Sequence, residues 1–179
     1  MKRITLAVIT ALVTIGATTY VAVARTQAPQ SADPVWTAIS QARAATAKYQ
    51  DVHAALKAGY MRVSACVEAP PPKIGAMGIH YLNPAYAKDP AIIASKPELL
   101  LYFPTAAGKL RLVAVEYWRP DADQNLNTDD DRPNLAGLPF QGPMNGHDPK
   151  MPRHYDLHAW VWAYNPAGTF AQYNPKLHC

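Results

Sequence analysis

The sequence predicts an α+β fold: one amphipathic N-terminal helix packed on an antiparallel β-sheet or a small partial, cupin-like barrel with long loops. Three observations carry this. Near the start, apolar residues recur at steps of three and four. Several short segments with alternating apolar residues follow. Seventeen prolines against nine glycines leave little room for further long elements. A composition of 49% hydrophobic and 17% charged residues is that of a globular protein. A length of 179 residues favours one folded domain over two.

The elements follow in order. Asp33-Pro34 makes a helix start, with Asp as N-cap and Pro at the first helical position. From there Trp36, Ile39, Ala42, Ala45, Tyr49, Val52, Leu56 and Tyr60 form the stripe of one helix, and Gly59 is a suitable stop. MRVSACVEAPPPKIG is strand-like and broken by prolines. MGIHYL (77–82), ELLLYF (98–103) and KLRLVAVEYW (109–118) read as strands, the last two joined by the hairpin loop PTAAG. Residues 120–153 are polar and rich in Pro, Gly, Asn and Asp; a loop of that length is functional or hides further elements. HYDLHAWVWAY reads as a last strand before an irregular tail.

Residues 1–24 read as an export signal: Lys2 and Arg3, an apolar stretch from Ile4 to Ala24, and the small-x-small pattern Ala22-Val23-Ala24. The stretch is also just long enough to span a bilayer, so an uncleaved anchor is the alternative, and membrane contact is expected only in that case. The organisation is thus a signal segment 1–24, a flexible lead 25–33 and a single α+β domain 34–179, working outside the cytoplasm as a periplasmic or secreted protein. Cleavage after Ala24 would remove two basic residues and no acidic one, taking the formal charge from +4 to +2. Without a Lys/Arg run, that balance gives no case for nucleic acid as a partner. The only cysteines, Cys66 and Cys179, are most simply a disulfide in an exported chain; a thiolate site is the rival reading, and a terminal residue is poorly held for it.

Candidate chemistry centres on the strands. In KLRLVAVEYW, strict alternation puts Leu110, Leu112, Ala114, Glu116 and Trp118 on one face, so Glu116 lies on the more apolar side. A buried lone carboxylate requires a partner, a proton or a metal. The other readings are a register slip that exposes it and a buried salt bridge to an arginine. In HYDLHAWVW the same alternation puts His154, Asp156, His158, Trp160 and Trp162 on one side. His154 and His158 would stand roughly 13 Å apart on a straight strand at about 3.3 Å per residue, too far to share an ion unless His154 lies in the loop behind Pro152. His158 is therefore the firmer ligand. Asp156, and beside it Tyr155, are candidates to orient an imidazole. His80 in MGIHYLNP and His147 in GPMNGHDP are further candidates, although a lone histidine is more often a satisfied core or surface residue. Two or three imidazoles and one carboxylate on strands suit Zn, Cu, Mn or Fe as a divalent transition-metal cofactor.

A calcium loop is a weaker alternative. Asp121, Asp123, Asn125, Asn127 and Asp129 fall at alternate positions of an EF-hand-like segment, but Leu126 stands where Gly is needed and Arg132 where the bidentate Glu belongs. A solvated acidic loop is the preferred reading. Nucleophile-elbow, phosphate-loop, dinucleotide and c-type haem motifs do not occur.

The segments M-G-I-H-Y, L-R-L-V-A-V-E-Y and Y-D-L-H-A-W-V-W and the ending N-P-K-L-H-C resemble a family of exported bacterial proteins without an established activity. The resemblance spans about Tyr49 to Cys179. It implies His80, Glu116 and His158 as recurring features, His154 less firmly, and no reaction. The functional expectation is an exported domain binding a transition metal through a His/Glu site, its substrate and reaction open. The alternatives are a metal-free module holding a small-molecule ligand in an aromatic pocket, and a structural protein of the cell envelope.

Overall fold

The computed structural model describes residues 33–148 and 150–179; the signal and most of the lead segment lie outside them. Helix α1 (Pro34–Thr46) begins where Asp33 accepts a hydrogen bond from the Val35 amide at 2.8 Å. The single helix expected to Gly59 is instead three pieces: α1, a 3-10 turn (Ala47–Gln50) and α2 (Val52–Lys57). Asp51 is the cause. It takes an extended conformation and its carboxylate accepts from the His53 amide at 3.0 Å, starting a new helix rather than continuing the old one. Part of the apolar stripe is left outward: Trp36 is 52% and Leu56 46% exposed, while Ile39, Ala42, Tyr49 and Tyr60 are buried.

The strands are β1 (Met61–Glu68), β2 (Ala76–Leu82), β3 (Leu99–Pro104), β4 (Leu110–Pro120), β5 (Asn134–Leu135), β6 (Leu138–Pro139), β7 (Gln141–Met144) and β8 (His154–Ala159), with a short helix α3 (Pro84–Lys88) between β2 and β3. Six of them form one antiparallel sheet in the order β1-β2-β3-β4-β8-β7, curled as a half-barrel. The 120–153 segment thus holds missed elements: the β5–β6 hairpin, and β7, an edge strand on β8 pairing Gln141 with Asp156 and Met144 with His154.

The two faces of the sheet bury different cores. One face packs Ile39, Ala42 and Tyr49 of the helical segment against Leu100, Tyr102, Leu112, Val115 and Tyr117. The other collects Met77, Leu99, Leu101, Val113 and Trp160, with Tyr173 and Leu177 of the tail packed on it. The alternation expected along β4 fails at one point. Leu101 pairs with Ala114 but Tyr102 pairs with Leu112, so Val113 is an extra residue. Such a bulge reverses the side-chain parity. Leu110 and Leu112 therefore join the helix side, and Glu116 shares its face with Ala114 and Trp118 only. The Val113 carbonyl, freed from the ladder, accepts from the amides of Trp162 and Ala163 at 3.2 and 3.0 Å.

Gly78 sets the approach to His80. At φ +107° it occupies a backbone region that side chains avoid, and a Cβ there would lie 2.7 Å from the Tyr102 carbonyl oxygen. Strand β8 ends at Ala159, sooner than expected, and this corrects the placing of Trp162. Trp160 stays on the face opposite the helical segment, whereas the Trp162 indole N–H donates to Thr46 Oγ1 at 3.0 Å and Arg43 stacks on its ring. Cys66 and Cys179 form a disulfide across 113 residues with their Cα atoms 5.8 Å apart, consistent with an oxidising, exported location. Among the described residues no helix is long and apolar enough to cross a membrane.

Candidate metal centre

Strands β2, β4 and β8 bring His80, Glu116 and His158 together on the sheet face opposite the helical segment. Glu116 and His158 are direct cross-strand partners, and His80 reaches over β3 from the far side. One ligand atom from each lies within 4.8 Å of the others, and all three side chains are buried. His80 Nε2 is 3.3 Å and His158 Nε2 3.8 Å from the same oxygen, Glu116 Oε2. Separations of about 3–4 Å are those of ligand atoms on one ion at bond lengths near 2 Å.

The groups beside each ring indicate which nitrogens carry protons. Ser64 Oγ donates to the Ala65 carbonyl at 2.6 Å, so it can only accept from His80 Nδ1 at 3.1 Å. His80 is therefore the Nδ1–H tautomer, with its Nε2 lone pair toward Glu116. His158 Nδ1 faces Asp156 Oδ1 at 3.5 Å, where a carboxylate requires an N–H, and its Nε2 likewise turns to Glu116. Asp156 is thus placed to orient the His158 imidazole. Two imidazole lone pairs and a carboxylate oxygen thus converge with no donor among them. Glu116 Oε2 and His158 Nε2 have no hydrogen-bond partner. Three buried acceptors facing one point suit a cation there, a proton or a metal ion. Arginine is not available to Glu116: Arg119 is held by Glu98 at 3.0 Å.

The electrostatics carry the same imprint. Burial, opposed by His158 and reinforced by Asp156, pushes the Glu116 carboxyl up to about 7. Burial and the neighbouring His158 and His147 hold His80 down to about 3. Burial also acts to lower His158, but Glu116 and Asp156 outweigh it and hold its pKa above the ordinary value. Asp156 is lowered by His158 and His154 against burial. The signs predict the metal-free chain's stability against pH. Glu116 contributes stability that is lost as pH rises from its ordinary 4.5 toward 7, and His158 adds to that loss above 6.5. His80 stays neutral in the fold, so stability falls as pH drops from 6.5 toward 3, and Asp156 adds to that fall below 3.8. In thermal melts with a chelator we expect a plateau near pH 4.5–6.5 and a decline on both sides. Melting temperatures that climb steadily to pH 9 would contradict this charge arrangement.

The remaining candidates are placed as follows. His154 is the first residue of β8, not part of the preceding loop, and stays outside the three-residue group; its Nε2 lies 3.8 Å from Asp156 Oδ2. His147, on the loop after β7, stacks its ring edgewise 6.2 Å from His154 and likewise stays outside. Tyr155 points to the other face of the sheet, because residues alternate along β8; its hydroxyl donates to Asp131 at 2.6 Å and orients no ligand. The calcium-loop residues do not converge. Asp123 accepts from the Asn125 amide and from Thr128, Asn125 from the Asn127 amide, and Asp129 pairs with the Arg132 that replaces the needed acid. Asp121 is buried beside Asp123 alone of that set, its carboxyl raised by burial and by Asp123. The His80/Glu116/His158 set is the only such ligand group among the described residues. Ser64 escapes sequence reasoning, since nothing in S-A-C marks that serine as the partner of a histidine sixteen residues on.

A cavity of about 660 Å³ lies beside the centre, lined by the buried His80 and Glu116, by Val63, Leu99 and Trp118, and by the more exposed His147 and Met151. The tyrosines are elsewhere: Tyr49, Tyr60, Tyr81, Tyr102 and Tyr117 fill the helix-side core. Three protein ligands with a cavity alongside is the arrangement of sites that leave a coordination position for water or substrate. The chain matches no family model, and neither the curated proteins nor the solved structures include a match to it.

Proposed function

We propose that this chain is an exported metal-binding protein in which His80 Nε2, Glu116 and His158 Nε2 hold one divalent first-row transition ion, with its remaining coordination open to the cavity. The observation that carries this reading is the meeting of three buried acceptor atoms without a donor. Ser64 and Asp156 fix the two imidazole tautomers, and Asp156 balances with Glu116 the two charges of a divalent ion. A bound ion would act as a Lewis acid toward a small molecule entering past Trp118. The apolar walls favour a ligand with a compact hydrophobic body. The signal-like residues 1–24 and the disulfide support a periplasmic or secreted setting.

The test is elemental analysis of tag-free protein after dialysis against Zn, Cu, Mn and Fe salts in turn. We expect one tightly held equivalent of one of these metals in the wild type and none in H158A. Its affinity should fall as pH drops below 7, because Glu116 must lose its proton to ligate. Wild-type protein that retains no metal from any of the four salts would sink the proposal.

A further inference from the structure

Beside this centre lies a second set of unsatisfied atoms. His154 is completely buried and its Nδ1 faces the Pro152 carbonyl at 3.1 Å, so Nδ1 carries the proton and Nε2 presents a lone pair. That Nε2 has no hydrogen-bond partner, and Asp156 Oδ2, itself an acceptor without a partner, stands 3.8 Å away. Two buried acceptors again face one another. The ion of the first centre does not relieve them, because Asp156 meets that centre through its other oxygen, at His158 Nδ1.

The groups around His154 are soft. Met144 is its cross-strand partner on β7. The following turn repeats a spacing, M-N-G-H and M-P-R-H, which sets Met144, His147, Met151 and His154 along one stretch. Gly146 packs on Met151 so closely that a Cβ there would stand 2.5 Å from Met151 Cβ, which keeps Met151 next to His147 in the cavity lining. The Met144 sulfur already accepts from the Gln172 amide at 3.5 Å.

We propose a second metal site beside the cavity, in which His154 Nε2 and the His147 imidazole, with the Met151 thioether, take one copper(I) ion. Thioether and imidazole donors select copper(I) over the harder divalent ions. Charge points the same way, in an argument that rests on the first centre holding a divalent ion. Glu116 and Asp156 are then already balanced, and a monovalent ion adds the least uncompensated charge to a buried site. The ligand set itself does not depend on that centre being filled.

The test titrates the tag-free chain with copper(I) held by a chromophoric chelator under anaerobic conditions. The variants are H154A, H147A, M151L and H158A. Wild type should withdraw one equivalent from the chelator. H147A and M151L, both changes in the exposed turn, should weaken binding at least about tenfold, the lower bound for disturbing even the outer partners of a metal site. H158A should lose the divalent ion and keep copper(I). X-ray absorption should show a sulfur scatterer that disappears in M151L. Should H154A fail to fold, H147A and M151L carry the result. Copper(I) retained in H147A and M151L but lost in H158A would assign the ion to the first centre and overturn the proposal. No withdrawal from the chelator would also overturn it.

Discussion

Replacing Cys179 by serine should lower the unfolding free energy by about 4–5 kcal/mol, the chain-entropy figure for a loop closed over more than 100 residues. The bridge spans 113 residues, so its loss frees nearly the whole described chain in the unfolded state. Against a total of roughly 5–15 kcal/mol for a domain, that is about a quarter or more. The melting temperature should fall by about 10–20 °C. The effect should also reach the metal centre. Cys66 pairs with Ile79, next to His80, and Ser64, which holds His80 Nδ1, lies two residues before Cys66. The serine variant should therefore bind the divalent ion more weakly as well as melt earlier. The C66S/C179S double variant should match either single one, because both remove the same bond. A loss under 1 kcal/mol would mean that the tail is held by its other contacts, such as the paired Asn174 and Ala76 backbones.

The strands were legible because alternation is a local property, and MGIHYL, ELLLYF and KLRLVAVEYW lie where β2, β3 and β4 form. What alternation does not announce is its own interruption. The extra residue Val113 has no sequence mark, and it alone moves Leu110 and Leu112 to the opposite core. The Asp51 break was readable in principle, since aspartate favours a cap over a helix interior, but a continuous apolar stripe concealed it. In the site, His80, Glu116 and His158 could be named from residue type and strand face. Their convergence could not, because it depends on β3 lying between β2 and β4 and on the register that pairs Glu116 with His158. Ser64 and the tautomer it imposes are invisible in one dimension. The same applies to His154: sequence distance argued that it could not share an ion with His158, and the sheet shows Asp156 standing between them.

Glu116→Gln should move stability and metal binding in opposite directions. Glutamine keeps the shape of the side chain but replaces one acceptor oxygen by an NH₂ group. In the metal-free chain that group can donate to a lone pair of His80 or His158, where Glu116 Oε2 now stands 3.3 and 3.8 Å from two acceptors. Removing a buried unsatisfied acceptor is worth about 1–3 kcal/mol, so the metal-free variant should be more stable than wild type by that order. The gain should be largest above pH 7, where wild-type Glu116 is ionised, and should vanish toward pH 4.5, where the carboxyl already carries a donor proton. Metal affinity should fall more than about 100-fold, since a neutral amide replaces the one anionic ligand, a larger change than loss of an outer partner. With metal present the order of stabilities should then reverse, as the ion stabilises only the chain that binds it. Chelator-treated and metal-saturated melts of both proteins, at two pH values, measure all of this. If the glutamine variant were less stable in chelator at high pH, Glu116 would have a donor partner in the native protein, and the case for three converging acceptors would fail.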